Sequence, residues 1–383
     1  MIALSEPVLG GNEWKYVKQC LDTGWVSSVG PFVERFEEAV AHYVGADHAV
    51  ATASGTAALH VAMLAAGIQP GDEVLVPAIT FVAPINAVRY CQAAPVFIDA
   101  DPETWQIDPS KVESFLSEEC ELRETGCFNK RSGCRVRALV AVHLLGGACD
   151  IDRLVACARA FQLEVVEDTA EAFGVRYKGR HVGTSGGVSG FSFNGNKVVT
   201  CGGGGMVVTN DAARARYARY LTTQAKDDPL EYFHNEVGYN YRLTNVQAAI
   251  GLAQLEQADR FLARKRAIAA AYSRGLEDID GLAFMRVVPE CEPAVWLWTF
   301  LLPAATTLAE RKAVIARLNA AGIGARPLWH PIHELPPYRE YQAYRIDHAM
   351  RLYGRAISLP SGVGLTDEQL QRCIDEVRRA VGS

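Results

Sequence analysis

From residue 48 to about residue 210 the sequence alternates between two kinds of segment. Short apolar runs that end in small or polar residues alternate there with segments of helical period. This is the pattern of an α/β sheet with crossover helices. The helices between the strands include 57–66 and 152–161. Seven strands are predicted, at 48–53, 73–76, 95–98, 138–143, 164–167, 188–193 and 205–209.

The C-terminal third has a different pattern. Thr244 and Gln247 form a capping-box signature that opens a long helical stretch towards Leu276, which we expect to link two domains. The pattern beyond it predicts a smaller α+β domain, so we expect a large domain over 1–260 and a small one over 261–383. Its predicted strands are 282–288, 295–302 and 324–328, with helices at 308–321 and, after a second box at Thr366 and Gln369, up to residue 381.

Composition and charge indicate which kinds of binding partner are unfavourable for this protein. The chain has 383 residues, a formal net charge of −6 and no basic stripe, which argues against nucleic acid as a partner. We find no apolar window long enough to span a membrane and no secretory leader, so we expect a cytoplasmic enzyme. The ten cysteines are spaced irregularly and predict reduced thiols.

One Cys-, Glu- and Arg-rich stretch, 117–136, has no clear period and is expected to be an inserted loop or hairpin at the surface. Cys120, Cys127 and Cys134 recur in it every seven residues. This spacing matches no common zinc-ligand pattern, so we expect no metal site.

Three segments carry the candidate chemistry, and the first is Ser54-Gly55-Thr56. Here a strand ends in small residues and a helix begins at once, which offers free backbone N–H groups to an anion such as a phosphate. The alternative is that the hydroxyls only cap the helix. The second segment ends a buried strand with Glu167 and Asp168. Ligands of parallel sheets bind beyond the carboxyl ends of the strands, so Asp168 is expected to face the site, unless it only caps the next helix.

The third segment is SFNGNK, residues 192–197, followed by four glycines at 202–205. A lysine between an apolar strand and such a turn is poorly placed for a solvent-facing charge. Partial burial favours the neutral, nucleophilic form of Lys197. The glycines lack dinucleotide-fingerprint spacing. A phosphate cradle, a carboxylate at a strand end and a desolvated lysine together match the needs of pyridoxal phosphate, or PLP.

The chain resembles the DegT/DnrJ/EryC1/StrS aminotransferases over nearly its whole length. This resemblance implies the PLP-dependent transferase fold of type I, as in aspartate aminotransferase, with a mostly parallel sheet in the large domain. The motifs that carry it are 4–7 (LSEP), 24–30 (GWVSSVG), 54–56 (SGT), 77–81 (PAITF), 167–168 (ED), 192–197 (SFNGNK), 238–249 (GYNYRLTNVQAA), 326–333 (RPLWHPIH) and 359–360 (LP).

The resemblance also implies roles for individual residues. Lys197 would hold the cofactor as a Schiff base and shuttle a proton, and Asp168 would keep the pyridine nitrogen protonated. Phe81 would stack on the pyridine ring. Asn240 would reach the phosphate of the neighbouring subunit, which makes the expected assembly a homodimer with shared active sites. The other expected cofactor contacts are Ser54, Gly55, Thr56, Glu171, Ser192 and Asn194.

The resemblance also suggests a substrate. Glu171 stands where many members have Gln, and a carboxylate there must bond differently to the phenolic oxygen of the cofactor or take up a proton. This form, with the insert, is most similar to enzymes of legionaminic acid or bacillosamine synthesis. Glutamate would then give its amino group to C4 of a nucleotide-linked, N-acetylated 4-keto-6-deoxy hexose. The candidate sugar contacts are Trp25, Arg242, Trp329 and His333, each with core packing or dimer contact as the alternative.

Other functions remain open at this point. A sugar 3-dehydratase on the same fold would carry histidine in place of Lys197. A 3-keto sugar aminotransferase and an amino-acid aminotransferase share the fold, and the latter would need an arginine clamp for two carboxylates. A non-catalytic regulator would have lost the chemistry, although Lys197 and Asp168 are both retained. His143, at a strand end, is interpreted as a core histidine.

Overall fold

The computed structural model describes residues 1–228 and 230–382. Its strands are β1 (His48–Thr52), β2 (Glu73–Pro77), β3 (Ala94–Ile98), β4 (Cys120–Arg123), β5 (Gly126–Asn129), β6 (Arg135–Val142), β7 (Glu164–Asp168), β8 (Arg176–Tyr177), β9 (Arg180–His181), β10 (Val188–Ser192), β11 (Gly205–Thr209), β12 (Ala283–Phe284), β13 (Cys291–Glu292), β14 (Thr299–Leu301), β15 (Arg326–Pro327), β16 (Ala343–Tyr344) and β17 (Ala356–Ser358).

Helices cover both ends of the chain and the crossovers between the strands. They are α1 (Glu13–Thr23), α2 (Pro31–Val44), α3 (Gly55–Ala65), α4 (Ala83–Tyr90), α5 (Pro109–Glu118), α6 (Ile151–Ala160), α7 (Ala212–Thr222), α8 (Asn245–Leu255), α9 (Ala258–Leu276), α10 (Leu308–Ala320), α11 (His348–Arg355) and α12 (Asp367–Val381).

The central sheet confirms the predicted α/β class and contains all seven predicted strands. Its order is β1-β11-β10-β7-β6-β2-β3-β16, with the hairpin β4–β5 paired to β6. Neighbours from β10 to β16 are parallel, and β11 runs antiparallel to both β1 and β10. Strand β2 is buried along its whole length because helices cover both faces of a parallel sheet. The carboxyl ends of β7 and β10 therefore open at the same edge.

The long helix predicted from Thr244 to Leu276 is wrong in one respect, since the structure has two helices there. α8 ends at Leu255 and α9 begins at Ala258, with Gln257 at φ −110° between them. The side chains at this break are tied to the N-terminal region: Glu256 accepts hydrogen bonds from Asn12 and Tyr16. Packing of α8 against α1 and α2 thus competes with continuation of one straight helix.

The C-terminal strands exist but are shorter than predicted. Strands 282–288, 295–302 and 324–328 shrink to β12, β14 and β15, which form a four-stranded sheet with β17 in the order β12-β14-β17-β15. Val295 has φ 50°, a left-handed conformation that cannot continue a strand. The helices predicted at 308–321 and up to 381 are confirmed as α10 and α12, and α12 opens with its capping box.

The cysteine-rich insert 117–136 folds as a hairpin and extends the central sheet through β5 and β6. Cys120 and Cys127 are buried in it, so the insert contributes to the core as well as to the surface. All ten cysteines are unbonded thiols. Within 1–228 and 230–382, no group of three or more His, Cys, Asp or Glu residues could hold a metal ion.

We propose the division into a domain at 1–260 and another at 261–383. A separate hydrophobic cluster around the four-stranded sheet, with Tyr272, Phe300 and Val377, supports it. Two segments cross the proposed boundary, since β16 pairs with β3 and Ile2 pairs with Ile323. Across the described ranges, no helix is long and apolar enough to cross a membrane.

Candidate active site

A cavity of about 610 Å³ lies where the carboxyl ends of β7 and β10 meet the start of α3. The four-stranded sheet and the N-terminal segment close its other side. Most of the predicted site residues line it together, although they come from distant parts of the sequence. They are Ser54, Gly55, Thr56, Phe81, Asp168, Glu171, Ser192, Asn194, Lys197 and Trp329.

The turn at Ser54 to Thr56 opens α3. Its geometry is compatible both with capping of the helix by a side chain and with binding of an anion by the backbone N–H groups. The Ser54 hydroxyl accepts a hydrogen bond of 3.1 Å from the Ala57 N–H, so this hydroxyl is the helix cap. The first backbone N–H groups of a helix have no partner within it, and here they lie at the cavity wall. A Cβ atom at Gly205 would lie 2.4 Å from the Ser54 carbonyl oxygen, so glycine is required where β11 passes this turn.

Asp168 ends β7 and is 4% exposed. Its Oδ1 accepts a hydrogen bond of 2.9 Å from the Ala170 N–H. This bond closes a turn, and no helix begins directly after Asp168 for the side chain to cap. Burial raises the pKa of this carboxyl, while the Ala170 N–H and the charge of Lys197 oppose the rise. The other carboxylate oxygen has no hydrogen bond to any described residue and is available to a proton donor in the cavity.

Glu171 lies one turn further along the chain and is also buried. Its Oε2 accepts a hydrogen bond of 2.7 Å from the Leu145 N–H. Leu145 has φ 57°, which is strained for leucine and fixes where its N–H points. Burial raises the pKa of Glu171 to about 7, so this carboxyl can carry a proton near neutral pH.

Lys197 follows the loop after β10, and its Nζ lies 3.8 Å from the ring centroid of Trp296. Burial lowers the pKa of this amine, and the carboxylates of Glu171 and Asp168 oppose the fall. A lowered pKa increases the neutral fraction that can attack an aldehyde. The geometry therefore fits the nucleophilic role expected of Lys197.

Glu167 and His143 are structural neighbours of the site. Glu167 accepts hydrogen bonds from His143 Nε2 at 2.9 Å and from the N–H groups of Gly183, Ser185 and Gly186. Although burial alone would raise the pKa of Glu167, these hydrogen bonds hold it below its ordinary value. Because His143 Nδ1 accepts the Cys149 N–H, the ring carries its proton on Nε2. The interpretation of His143 as a satisfied core histidine agrees with this geometry.

Four predicted contacts lie outside this cavity in the single chain. Arg242 pairs with Glu37 and with the Ala51 carbonyl, and Asn240 lies near it on the surface of a separate groove. Trp25 is 49% exposed, and its carbonyl accepts a hydrogen bond from Asn245. His333 packs near Phe97 and Glu334. His333 does not line the cavity of the single chain and lies beside β3, so a contact of this residue with the sugar stays a prediction.

The sequence interpretation missed several residues of the cavity wall. Arg326 lines it from β15, and Trp296 and Asn196 line it beside Lys197. Arg326 is the first residue of the motif at 326–333, and this position is the sequence signal for a cation at the cavity wall. No sequence signal marks Trp296, because a tryptophan at the start of a predicted strand ordinarily means core packing.

The cavity fits pyridoxal phosphate. It offers helix-start N–H groups for a phosphate, an unsatisfied carboxylate oxygen for a pyridine nitrogen, and an amine of lowered pKa. It also has Phe81, which is 51% exposed, as a flat apolar wall. When bound, this cofactor supplies an electron sink for the substrate's reacting carbon.

The chain is similar to known proteins over nearly its whole length. A family model described as the DegT/DnrJ/EryC1/StrS aminotransferase family matches residues 7–378. GDP-perosamine synthase of Caulobacter vibrioides is 40% identical over 374 residues, which cover 97% of this chain and 96% of that protein. The Escherichia coli O157:H7 protein of the same name is 40% identical over 370 residues, covering 96% and 95%. The solved structure of DesV from S. venezuelae is 33% identical, with a TM-score of 0.87 and 97% and 95% covered.

The fold and the cavity define a PLP-dependent aminotransferase of fold type I. Solved structures of the same fold include a PLP form and a PMP form of one sugar aminotransferase from Streptococcus pneumoniae. More narrowly, the chain belongs to the DegT/DnrJ/EryC1/StrS family of sugar aminotransferases.

Proposed function

We propose that this enzyme moves the amino group of glutamate to C4 of a nucleotide-linked 4-keto-6-deoxy hexose, giving a 4-amino-4,6-dideoxy sugar for surface-glycan synthesis. Two relatives at 40% identity are named GDP-perosamine synthase, a 4-aminotransferase acting on a GDP-linked sugar, which favours GDP as the nucleotide. Another relative, 33% identical, is named for spore coat polysaccharide biosynthesis. The cytoplasmic location stays a prediction.

The observation that carries the proposal is the convergence of Lys197, Asp168 and the start of α3 on one cavity. Lys197 would attach the cofactor and move the proton at the reacting carbon. Asp168 would hold the proton on the pyridine nitrogen, and the turn with Ser192 and Asn194 would hold the phosphate. These roles match the burial, the free carboxylate oxygen and the helix start of the three elements.

A second candidate is the N-acetylated hexose of the legionaminic acid and bacillosamine enzymes. It rests on Glu171, a carboxyl at a position where the family resemblance implies an amide in many members. A pKa near 7 lets this group donate a hydrogen bond as an amide would, so the phenolic oxygen of the cofactor would still find a donor. The two candidate substrates undergo the same reaction and differ in the substituent at C2 of the sugar.

The competing functions are less well supported. A sugar 3-dehydratase would need histidine at position 197. A clamp for two carboxylates would need two arginines, and Arg326 is the single arginine on the described wall of the cavity. One guanidinium suits one carboxylate of glutamate, while the cavity's size leaves room for a sugar. We expect Trp329, on the same wall, to pack against that sugar.

We also propose a homodimer with shared sites. Asn240 and Arg242 line a surface groove of about 420 Å³, with Lys226 near them. Exposed apolar side chains occur in the segments next to this groove, namely Val29, Leu230, Tyr232, Phe233 and Val237. Such a surface is typical of an interface, and a second copy would explain why Asn240 and Trp25 lie outside the cavity of their own chain.

The test is an assay of amino transfer from glutamate to a panel of nucleotide 4-keto sugars. The panel pairs GDP with UDP and a C2 hydroxyl with a C2 N-acetyl group, and product is identified by mass spectrometry. We expect turnover with a 4-keto-6-deoxy hexose and best kcat/KM with GDP. Transfer only to 3-keto sugars or only to amino-acid acceptors would contradict the proposal.

A further inference from the structure

Trp296 contacts Lys197 at two different points. Its ring centroid lies 3.8 Å from Lys197 Nζ. Its Nε1–H donates a hydrogen bond of 2.7 Å to the carbonyl of Asn196, the residue immediately before the lysine. One indole therefore fixes the backbone at the start of Lys197 and also faces the charged end of its side chain.

The backbone of Trp296 is fixed by hydrogen bonds at both its carbonyl and its N–H. The buried amine of Lys265 donates 2.9 Å hydrogen bonds to the carbonyls of Trp296 and Ser361. The Trp296 N–H donates to the carbonyl of Leu145, whose own N–H binds Glu171. These bonds fix the main chain of Trp296, and the Nε1–H bond to the Asn196 carbonyl orients the ring beside Lys197.

The remaining surroundings explain why an aromatic face matters to the lysine. Among the residues described, no hydrogen bond or ion pair reaches Lys197 Nζ, although Asp168 and Glu171 lie near enough to act on its charge. A buried ammonium without hydrogen bonds is costly. A tryptophan face is the aromatic surface that attracts a cation most strongly.

We propose that Trp296 is a positioning residue for Lys197. Its ring faces the amine of Lys197 whenever the lysine is not joined to the cofactor and attracts the charged form of that amine. Its Nε1–H fixes the carbonyl before the lysine. In an aminotransferase the lysine would be released from the cofactor in the first half-reaction and would rejoin it at the end of the second. A defined place for the released amine keeps it close to the reacting carbon and away from the carboxylates. The inference rests on the proposed role of Lys197.

The first experiment weakens the cation–π attraction without changing the size of the side chain. Cofactor-free protein is prepared with tryptophans that carry one, two or three fluorine atoms, which withdraw electron density from the ring. The rate of reductive methylation of Lys197 is then measured by mass spectrometry at a pH where most of the amine is charged. We expect the rate to rise with fluorination by roughly fivefold in total, equivalent to about 1 kcal/mol of attraction.

Two variants separate Trp296 from the other tryptophans. Trp298 is equally buried but stacks on Tyr272, away from the cavity. In a Trp298→Phe background the dependence on fluorination should persist, whereas in a Trp296→Phe background it should disappear. A Lys197 rate that is the same across the series, or a dependence that survives Trp296→Phe, would overturn the proposal.

A final experiment distinguishes failure of the Trp296 proposal from failure of the proposed role of Lys197. PLP is added to the unfluorinated protein and fixed with borohydride, and the labelled lysine is identified by mass spectrometry. Label on Lys197 together with a flat fluorination series would reject the role of Trp296 alone. Label elsewhere would reject the role of Lys197 in cofactor binding, whatever the methylation rates are.

Discussion

Gly55 lies so close to Ser192 that no other residue fits at its position. A Cβ atom on Gly55 would be 2.6 Å from the Cβ and 2.9 Å from the Oγ of Ser192. The start of α3 and the end of β10 therefore approach each other directly at the proposed phosphate site. The glycine serves close packing here, since its φ is not in the left-handed region.

Gly55→Ala should weaken binding of PLP because the new methyl group displaces Ser192. We expect a loss of about tenfold in affinity, within the range that overpacking usually costs. The measurement is an absorbance titration of cofactor-free protein with PLP. Gly195→Ala is the matched control, since its Cβ would have no neighbour closer than 3.9 Å. Equal affinities for the two variants would contradict this account of the turn.

Asp168→Asn should leave the cofactor bound and reduce kcat on the order of 10²-fold or more. The amide has the same shape, but it does not stabilise a proton on the pyridine nitrogen as a carboxylate does. Steady-state kinetics and the visible absorbance of the bound cofactor test the two halves of this prediction. Glu164→Gln, at the other end of β7, should keep normal turnover because Glu164 pairs with Arg214 outside the cavity. Unchanged kcat in Asp168→Asn would show that its role is misassigned.

Most of the central sheet could be predicted because the apolar sequence of each strand shows by itself that the strand is buried. Continuous apolar runs that alternate with helical segments specify a parallel sheet, and the acid at the end of β7 follows from where such sheets bind ligands. The break between α8 and α9 could not be predicted, because it depends on contacts of Glu256 with Asn12 and Tyr16. Contacts between residues far apart in sequence leave no local pattern.

The candidate site shows the same division between local patterns and distant contacts. Lys197, Asp168 and the turn at Ser54 carry local chemical signals, and the cavity brings them together. Trp296 carries none, because its importance depends on where Val295 turns the chain and on a buried lysine elsewhere in the sequence. The expected place of Arg242 also differed, since its pairing with Glu37 needs the packed fold.

Arg326→Met should raise KM for glutamate by roughly tenfold to a hundredfold, which is what loss of a charge-assisted hydrogen bond usually costs. Arg326 lines the cavity from β15 and makes no ion pair with the described residues. The two half-reactions are measured separately, so the glutamate and sugar steps are resolved. Arg345→Met, which removes a surface pair with Glu118, is the control. An increase confined to KM for the nucleotide sugar would instead assign Arg326 to the pyrophosphate.

Mixed dimers should test whether the site is shared. Lys197→Ala and Asn240→Ala are each expected to be nearly inactive as homodimers. When the two are mixed and allowed to exchange subunits, one of the two sites in each heterodimer regains both native residues. Activity should then recover towards about a quarter of wild type, since statistical exchange makes half of the dimers mixed. Absence of recovery, with exchange verified by native mass spectrometry, would argue against a shared site.

Lys265→Met should change how stability depends on pH. Burial lowers the pKa of Lys265 from 10.5 to about 7. Below pH 7 the amine is protonated in both the folded and unfolded states, so the wild type bears the full cost of a buried charge. Between pH 7 and 10.5 the unfolded state binds more protons, so wild-type stability rises relative to the variant by up to about 1.4 kcal/mol per pH unit. Urea unfolding of both proteins at pH 6 to 9, at one protein concentration, measures the difference. A difference in free energy of unfolding that stays constant over this range would mean that Lys265 remains charged in the folded protein, held by the carbonyls of Trp296 and Ser361.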